Sequence, residues 1–98
     1  MLEFLKKVDI SDGVINSMIE MVPVSSLQDI GNNEENCLSI LIYMKKIGIS
    51  NVDDLLIYKP DVFKGSFRNF YLKMQKFENT DIVSMINDDF NNIDLIWN

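Results

Sequence analysis

The sequence predicts an all-α fold of about three helical-hairpin repeats, stacked as a short solenoid or compact helical bundle. Three observations predict it. Apolar residues recur at helical spacing along most of the chain. No segment alternates at period two for long enough to form a strand. An octet at residues 4–11, "FLKKVDIS", returns at residues 43–50 as "YMKKIGIS". The chain has 98 residues, which suits one small domain. That domain is expected to span 1–98, with approximate repeats at 2–36, 37–66 and 67–98.

In "DGVINSMIEMVP", Val14, Ile15, Met18, Ile19 and Val22 form one helical stripe. Ser11 precedes it as a candidate N-cap, and Pro23 ends it. In "NEENCLSILIYMKKIG", Leu38, Leu41 and Ile42 form a stripe flanked by Ile40, Met44 and Ile47. That breadth predicts a helix buried on most sides. Lys45 and Lys46 fall in its last turn, where cations suit the dipole, and Gly48 is placed to end it. Ser50 is expected to cap a short helix in "NVDDLLIYK", with Asp53 at capping-box distance, and Pro60 to stop it. "SFRNFYLKMQKF" offers the face Phe67, Phe70, Tyr71, Met74 and Phe77. Thr80 then opens "DIVSMINDDF", with Ile82, Met85 and Ile86 inward.

The echo extends beyond the octet. Residues 44–63 align with 74–93 at a constant offset of 30. Val52 meets Ile82, Leu55 meets Met85, Leu56 meets Ile86 and Ser50 meets Thr80. The unit reads as a helix, a Ser/Thr cap, a shorter helix, a break and a short apolar turn. A period of this size marks helical solenoids.

"YMKKIGISNVDDLLIYKPDVF", through Ile47, Gly48, Ile49, Ser50, Leu55, Leu56, Pro60, Val62 and Phe63, resembles the repeat of the mitochondrial transcription termination factor (mTERF) family. The first repeat lacks the glycine, and the third has Asp89 in place of the proline. The resemblance implies a right-handed all-α repeat with a concave nucleic-acid-binding face.

Bulk composition bounds the function. The chain is 47% hydrophobic, enough for a core and too much for a disordered chain. Its longest apolar run, Leu38–Met44, is interrupted by Ser39 and too short to span a membrane. "MLEFLKKVDI" mixes charges into its apolar residues and does not read as a secretory signal. A single cysteine, Cys37, forms no internal disulfide, so a reducing cytoplasmic setting is expected. The abundant asparagines and isoleucines, 11 and 13, read as coding bias rather than chemistry. Net charge is −6. The acids concentrate before residue 37 and after Lys76, and Lys45–Lys76 is the one net-positive stretch.

There is no histidine, so His-based acid–base, triad or metal chemistry is excluded. Cys37 is expected to be a buried small hydrophobe rather than a nucleophile. Asp53–Asp54 and Asp88–Asp89 are sequence neighbours that point apart on a helix and form no shared-proton dyad. "NDDFNNIDLIWN" mimics part of a calcium loop but lacks its sixth-position glycine and terminal glutamate. The expected function is a non-enzymatic interaction module for a protein partner or a second copy of itself, without cofactor or metal. The candidate partner surface is Leu95, Ile96 and Trp97 at the chain end. The alternative is nucleic-acid binding through the basic middle repeat, with Lys59, Lys64, Arg68 and Lys73 as candidate contacts.

Overall fold

The repeated octet folds into the same turn twice. In the computed structural model, which describes residues 1–97, Asp9 and Gly48 both take positive φ, 63° and 97°. At each, two backbone bonds close the preceding helix: Asp9 N–H to Lys6 O and Ile10 N–H to Leu5 O; Gly48 N–H to Lys45 O and Ile49 N–H to Met44 O. This is the Schellman pattern, and its apolar clasp is present in both copies. Leu5 and Ile10 are buried in one, Met44 and Ile49 in the other. Asp9 differs from Gly48 in chemistry, yet aspartate tolerates the left-handed region better than most residues. The corresponding stretch before Ile82 has no such turn: Phe77 and Thr80 close 3-10-type bonds to Met74 and Phe77 instead.

Seven α-helices and three 3-10 helices are formed among the described residues, with no strand. A 3-10 helix, Glu3–Val8, leads into α1 (Asp12–Met21) and α2 (Val24–Gly31). Then come α3 (Glu34–Lys46), α4 (Val52–Tyr58) and a 3-10 helix, Pro60–Phe63. Finally come α5 (Phe67–Gln75), α6 (Ile82–Asp88), a 3-10 helix at Phe90–Ile93, and α7 (Asp94–Trp97). The pair α4 and Pro60–Phe63 recurs, end for end, 30 residues later as α6 and Phe90–Ile93.

The first 3-10 helix packs on α3, and α3 on α5. Helix α1 packs on α4, and α2 on Pro60–Phe63. One continuous core results, with Leu5, Met18, Ile30, Ile40, Leu41, Met44, Leu55, Leu56, Phe63, Phe70, Ile86 and Ile93 sealed from solvent. The radius of gyration, 12.6 Å, is that of a compact domain of this length.

Several expected stripes are narrower than their periodicity implied. Ile15, Met18 and Val22 are buried on α1, but Ile19 is exposed. Helix α3 buries Cys37, Ile40, Leu41 and Met44, and leaves Ile42 in solvent. Tyr71 is exposed on α5, although its ring still meets Tyr43 edge-on at 5.5 Å. Helix α2 was not expected at all, because Pro23 reads as a stop. Here Pro23 stands at the N-cap of the next helix, where its missing N–H costs nothing.

Two expected caps move by one residue. Ser11 does cap α1, accepting from Val14 N–H at 3.2 Å. The residue at the N-cap of α4 is Asn51, not Ser50, and its side chain does not cap. Asp81, not Thr80, caps α6 by accepting from Ser84 N–H at 3.3 Å. Ser66, which was not singled out, caps α5 through Asn69 N–H at 3.0 Å.

Four asparagines, Asn33, Asn36, Asn51 and Asn87, tie distant segments together. Asn87 on α6 accepts from Ser50 N–H at 2.9 Å and from its hydroxyl at 3.2 Å, and donates to Gly48 O at 2.9 Å. Asn51 donates to Ile86 O at 2.8 Å. At the head of α3, Asn33 donates to Phe63 O and Gly65 O. Asn36 accepts from Phe67 N–H at 2.9 Å, satisfying an orphan amide of α5 from across the fold. Each of these residues bridges chain segments 30 or more positions apart.

Candidate functional site

The bases singled out in the basic stretch are largely spent on the fold. Lys59 pairs with Asp94 of α7 at 2.8 Å. Lys64 pairs with Asp61 at 2.7 Å and lies 3.9 Å from Asp29. Lys73 donates to Trp97 O at 3.3 Å and sits 4.4 Å above the indole ring. Lys59 and Lys73 thus converge on the same short helix, α7, while Lys64 faces α2. Lys45 bonds to Val8 O. Arg68 is exposed near the start of α5, with no ion pair among the described residues. Lys46 and Lys76 are exposed in the same way.

The three residues of the chain end have different surroundings. Ile96 lies in the core at 5% exposure, so it holds the tail down rather than presenting itself to a partner. Trp97 is half-buried, its ring 6.2 Å from Phe70. Only Leu95 is exposed. The segment that mimicked a calcium loop uses its polar groups internally. Asp89 accepts from Asn91 N–H at 2.9 Å, and Asn92 donates to Met85 O at 2.7 Å.

Cys37 is sealed inside α3, and burial pushes its thiol up to about 12. It is therefore a neutral core group at physiological pH. Burial also raises the Tyr43 phenol, with Tyr71 beside it adding and a hydrogen bond from Gln75 opposing. Tyr43 stands at the centre of an aromatic cluster, edge-on to Phe67 and Phe70 at 5.7 and 6.2 Å. That cluster joins α3 to α5 and is explained by packing.

An apolar concavity lies elsewhere, beside α1 and α2. A groove of about 310 Å³ is lined by Met1, Leu2, Glu3, Ile15, Ile19, Val24 and Leu27. Ile19 is 57% exposed and Val24 66%. Met21, at the end of α1, is exposed as well. Sequence reading missed the groove because Val24 and Leu27 belong to α2. The signal was present in the spacing of Val24, Leu27 and Ile30, which is helical.

The groove can accept apolar side chains, but it holds no nucleophile or acid–base pair. Its one lining carboxylate is Glu3. The N-terminal ammonium, 2.6 Å away, holds that carboxyl below its usual range. Comparison with protein-family models, with curated proteins and with solved structures finds no match to this chain.

Proposed function

We propose that this protein is a non-enzymatic interaction module that binds a protein partner through the apolar groove of its first unit. The observation that supports this is the exposure of Ile19 and Val24 beside Ile15 and Leu27, gathered in one apolar concavity, where Ile42, Leu72 and Leu95 are exposed outside any such hollow. Exposed β-branched residues on two adjacent helices cost solubility and add nothing to a core, so a partner gives them a purpose. The domain around the groove is read as three stacked helical units. That reading draws on the 30-residue recurrence of α4 and α6 and on the packing of like elements. A free, buried Cys37 fits a reducing, cytoplasmic setting.

A second reading, nucleic-acid binding, follows from the mTERF-like repeat and is favoured by the exposure of Arg68, Lys46 and Lys76. It is the weaker of the two, because Lys59, Lys64 and Lys73 already have intramolecular partners. Desolvating an ion pair to free a lysine for phosphate lowers the gain from each contact.

The test is a capture experiment with mass-spectrometric identification. Ile19→Asp with Val24→Asp is compared with Lys46→Glu with Arg68→Glu, each against the unaltered protein. Under the first reading the apolar-face variant loses a specific protein that the charge variant keeps. Recovery of DNA or RNA that vanishes with the charge variant, and with rising salt, replaces the first reading by the second.

A further inference from the structure

We infer that α7 is an autoinhibitory strap: seated, it withholds Lys59 and Lys73 from phosphate, and lifted, it adds them to the cations of α5. The strap is independent of the groove. It rests on the nucleic-acid reading above and specifies how that binding is held off.

The first feature is the convergence of two lysines. Lys59 follows α4 and Lys73 lies on α5, yet both end on one four-residue helix. Lys59 Nζ is 2.8 Å from the Asp94 carboxylate. Lys73 Nζ donates to Trp97 O at 3.3 Å and stands 4.4 Å above the indole ring. Helix α7 thus turns a carboxylate, a carbonyl and a π-face toward cations, and each meets a lysine. A phosphate competes for the same two ammonium groups. Seating of α7 and phosphate binding by these lysines therefore oppose each other.

The second feature is the weakness of the seat. A single turn has no helical stability of its own. Ile96 is the only buried residue of α7. Trp97 is half-buried against Phe70, and Leu95 is exposed. A hollow of about 220 Å³ remains between α7 and residues 58–62, with Asp94 and Trp97 on one side. Ile93, just before α7, is sealed in the core, so the chain can lift at Asp94 and leave the rest packed. An element with one buried anchor and polar ties near the surface opens before the whole domain does.

The third feature is what lifting adds. Lys76 follows Lys73 by three residues at the end of α5, so the two share a face. Lys76 and Arg68 are exposed, with no ion pair among the described residues. A released Lys73 joins them, and Lys59 stands one turn of α7 away. Asp94 leaves with the strap, while Lys64 stays with Asp61 at 2.7 Å.

The test uses the full chain and a labelled DNA single strand of about 20 nucleotides, followed by fluorescence anisotropy at ~50 mM salt. Ile96→Asp removes the anchor and adds a negative charge, so a gain in binding cannot come from net charge. It is expected to bind roughly fivefold more tightly than the parent, with a salt slope steeper by about 1.4 for two further phosphate contacts. Adding Lys59→Gln and Lys73→Gln should return binding to the parent's level. Trp97, the one tryptophan, reports the seat. Its emission should shift to the red in Ile96→Asp while circular dichroism keeps the helical signal. Leu95→Asp, equally charged and exposed on the same helix, should change neither. Should Ile96→Asp not fold, Asp94→Asn carries the test. It frees Lys59 alone and should bind more tightly than Asp88→Asn, an equal change of charge at an exposed position of α6. Unmoved Trp97 emission, no gain in Ile96→Asp, or a gain that survives loss of both lysines overturns the inference. So does an equal gain for poly-glutamate, which carries charge without phosphate. Parent binding that Lys46→Glu with Arg68→Glu abolishes and Ile96→Asp leaves unchanged overturns the strap and keeps the nucleic-acid reading. No binding by any variant removes both.

Discussion

Replacing Asn87 with alanine removes three hydrogen bonds at once. Its carboxamide accepts from the Ser50 amide and hydroxyl and donates to Gly48 O. A net hydrogen bond contributes roughly 0.5–1.5 kcal/mol. The bonds here lie near the surface, so water can replace each partner and the low end applies. The loss should be about 1.5–2 kcal/mol, or a drop in Tm of roughly 10 °C for a domain of this size. Ser50→Ala removes only the longest of the three bonds, so about 0.5 kcal/mol should go. The double variant should cost less than the sum of the singles, because the hydroxyl has nothing left to bond once Asn87 is gone. Asn87→Asp keeps the acceptor but turns a carboxylate oxygen toward the Gly48 carbonyl. It should be at least as damaging as alanine at neutral pH, and should recover on acidification as the carboxyl gains a proton. Urea denaturation of the four variants measures all of this. An Asn87→Ala protein within 0.5 kcal/mol of the parent, or strictly additive singles, would refute the idea that this asparagine clamps α6 onto the preceding turn.

Other perturbations separate local roles. Gly48→Ala should cost about 1–2 kcal/mol from its positive φ alone, since an added Cβ meets nothing closer than Val83 at 3.8 Å. Gly65→Ala should be neutral or stabilise by up to ~1 kcal/mol, because its backbone is ordinary and nothing lies within 4 Å; thermal melts distinguish the two. Ser11→Ala, Ser66→Ala and Asp81→Ala should each cost about 1 kcal/mol, and Thr80→Ala much less, because only the first three supply cap bonds. The Cys37 thiol is raised from 9.0 to about 12 in the folded chain, so the unfolded chain loses this proton first as pH rises. Its stabilising contribution is whole below pH 9 and disappears between about 9 and 12, a loss on the order of 1–2 kcal/mol by pH 10.5. The parent should show that extra slope in denaturant midpoints, and Cys37→Ala should lack it.

The all-α class was legible because it rests on local spacing. Ile15, Met18 and Val22, or Ile82 and Ile86, declare a helix and its inner face wherever the chain goes next. The octet was legible for a similar reason, since its Schellman turns are made of adjacent residues. Side-chain partnerships across 30 or more positions were not. Nothing near Ser50 says that its hydroxyl meets Asn87, and nothing near Asn36 says that it serves the amide of Phe67. Where Ser50–Asn51 and Thr80–Asp81 offer two capping residues in a row, spacing cannot choose between them. The basic stretch looked like a free cationic face because Asp94, Asp29 and the Trp97 ring lie far from it in sequence. The groove escaped notice because one wall is α2, begun at a proline that reads as an ending.

A photo-crosslinking amino acid placed at position 19, and separately at position 68, tests the central claim most directly when the protein is irradiated in its own cells. The account predicts a discrete protein adduct from position 19, lost when Val24→Asp is added, and little beyond background from position 68. Adducts to RNA or DNA at position 68, with none at position 19, would contradict it.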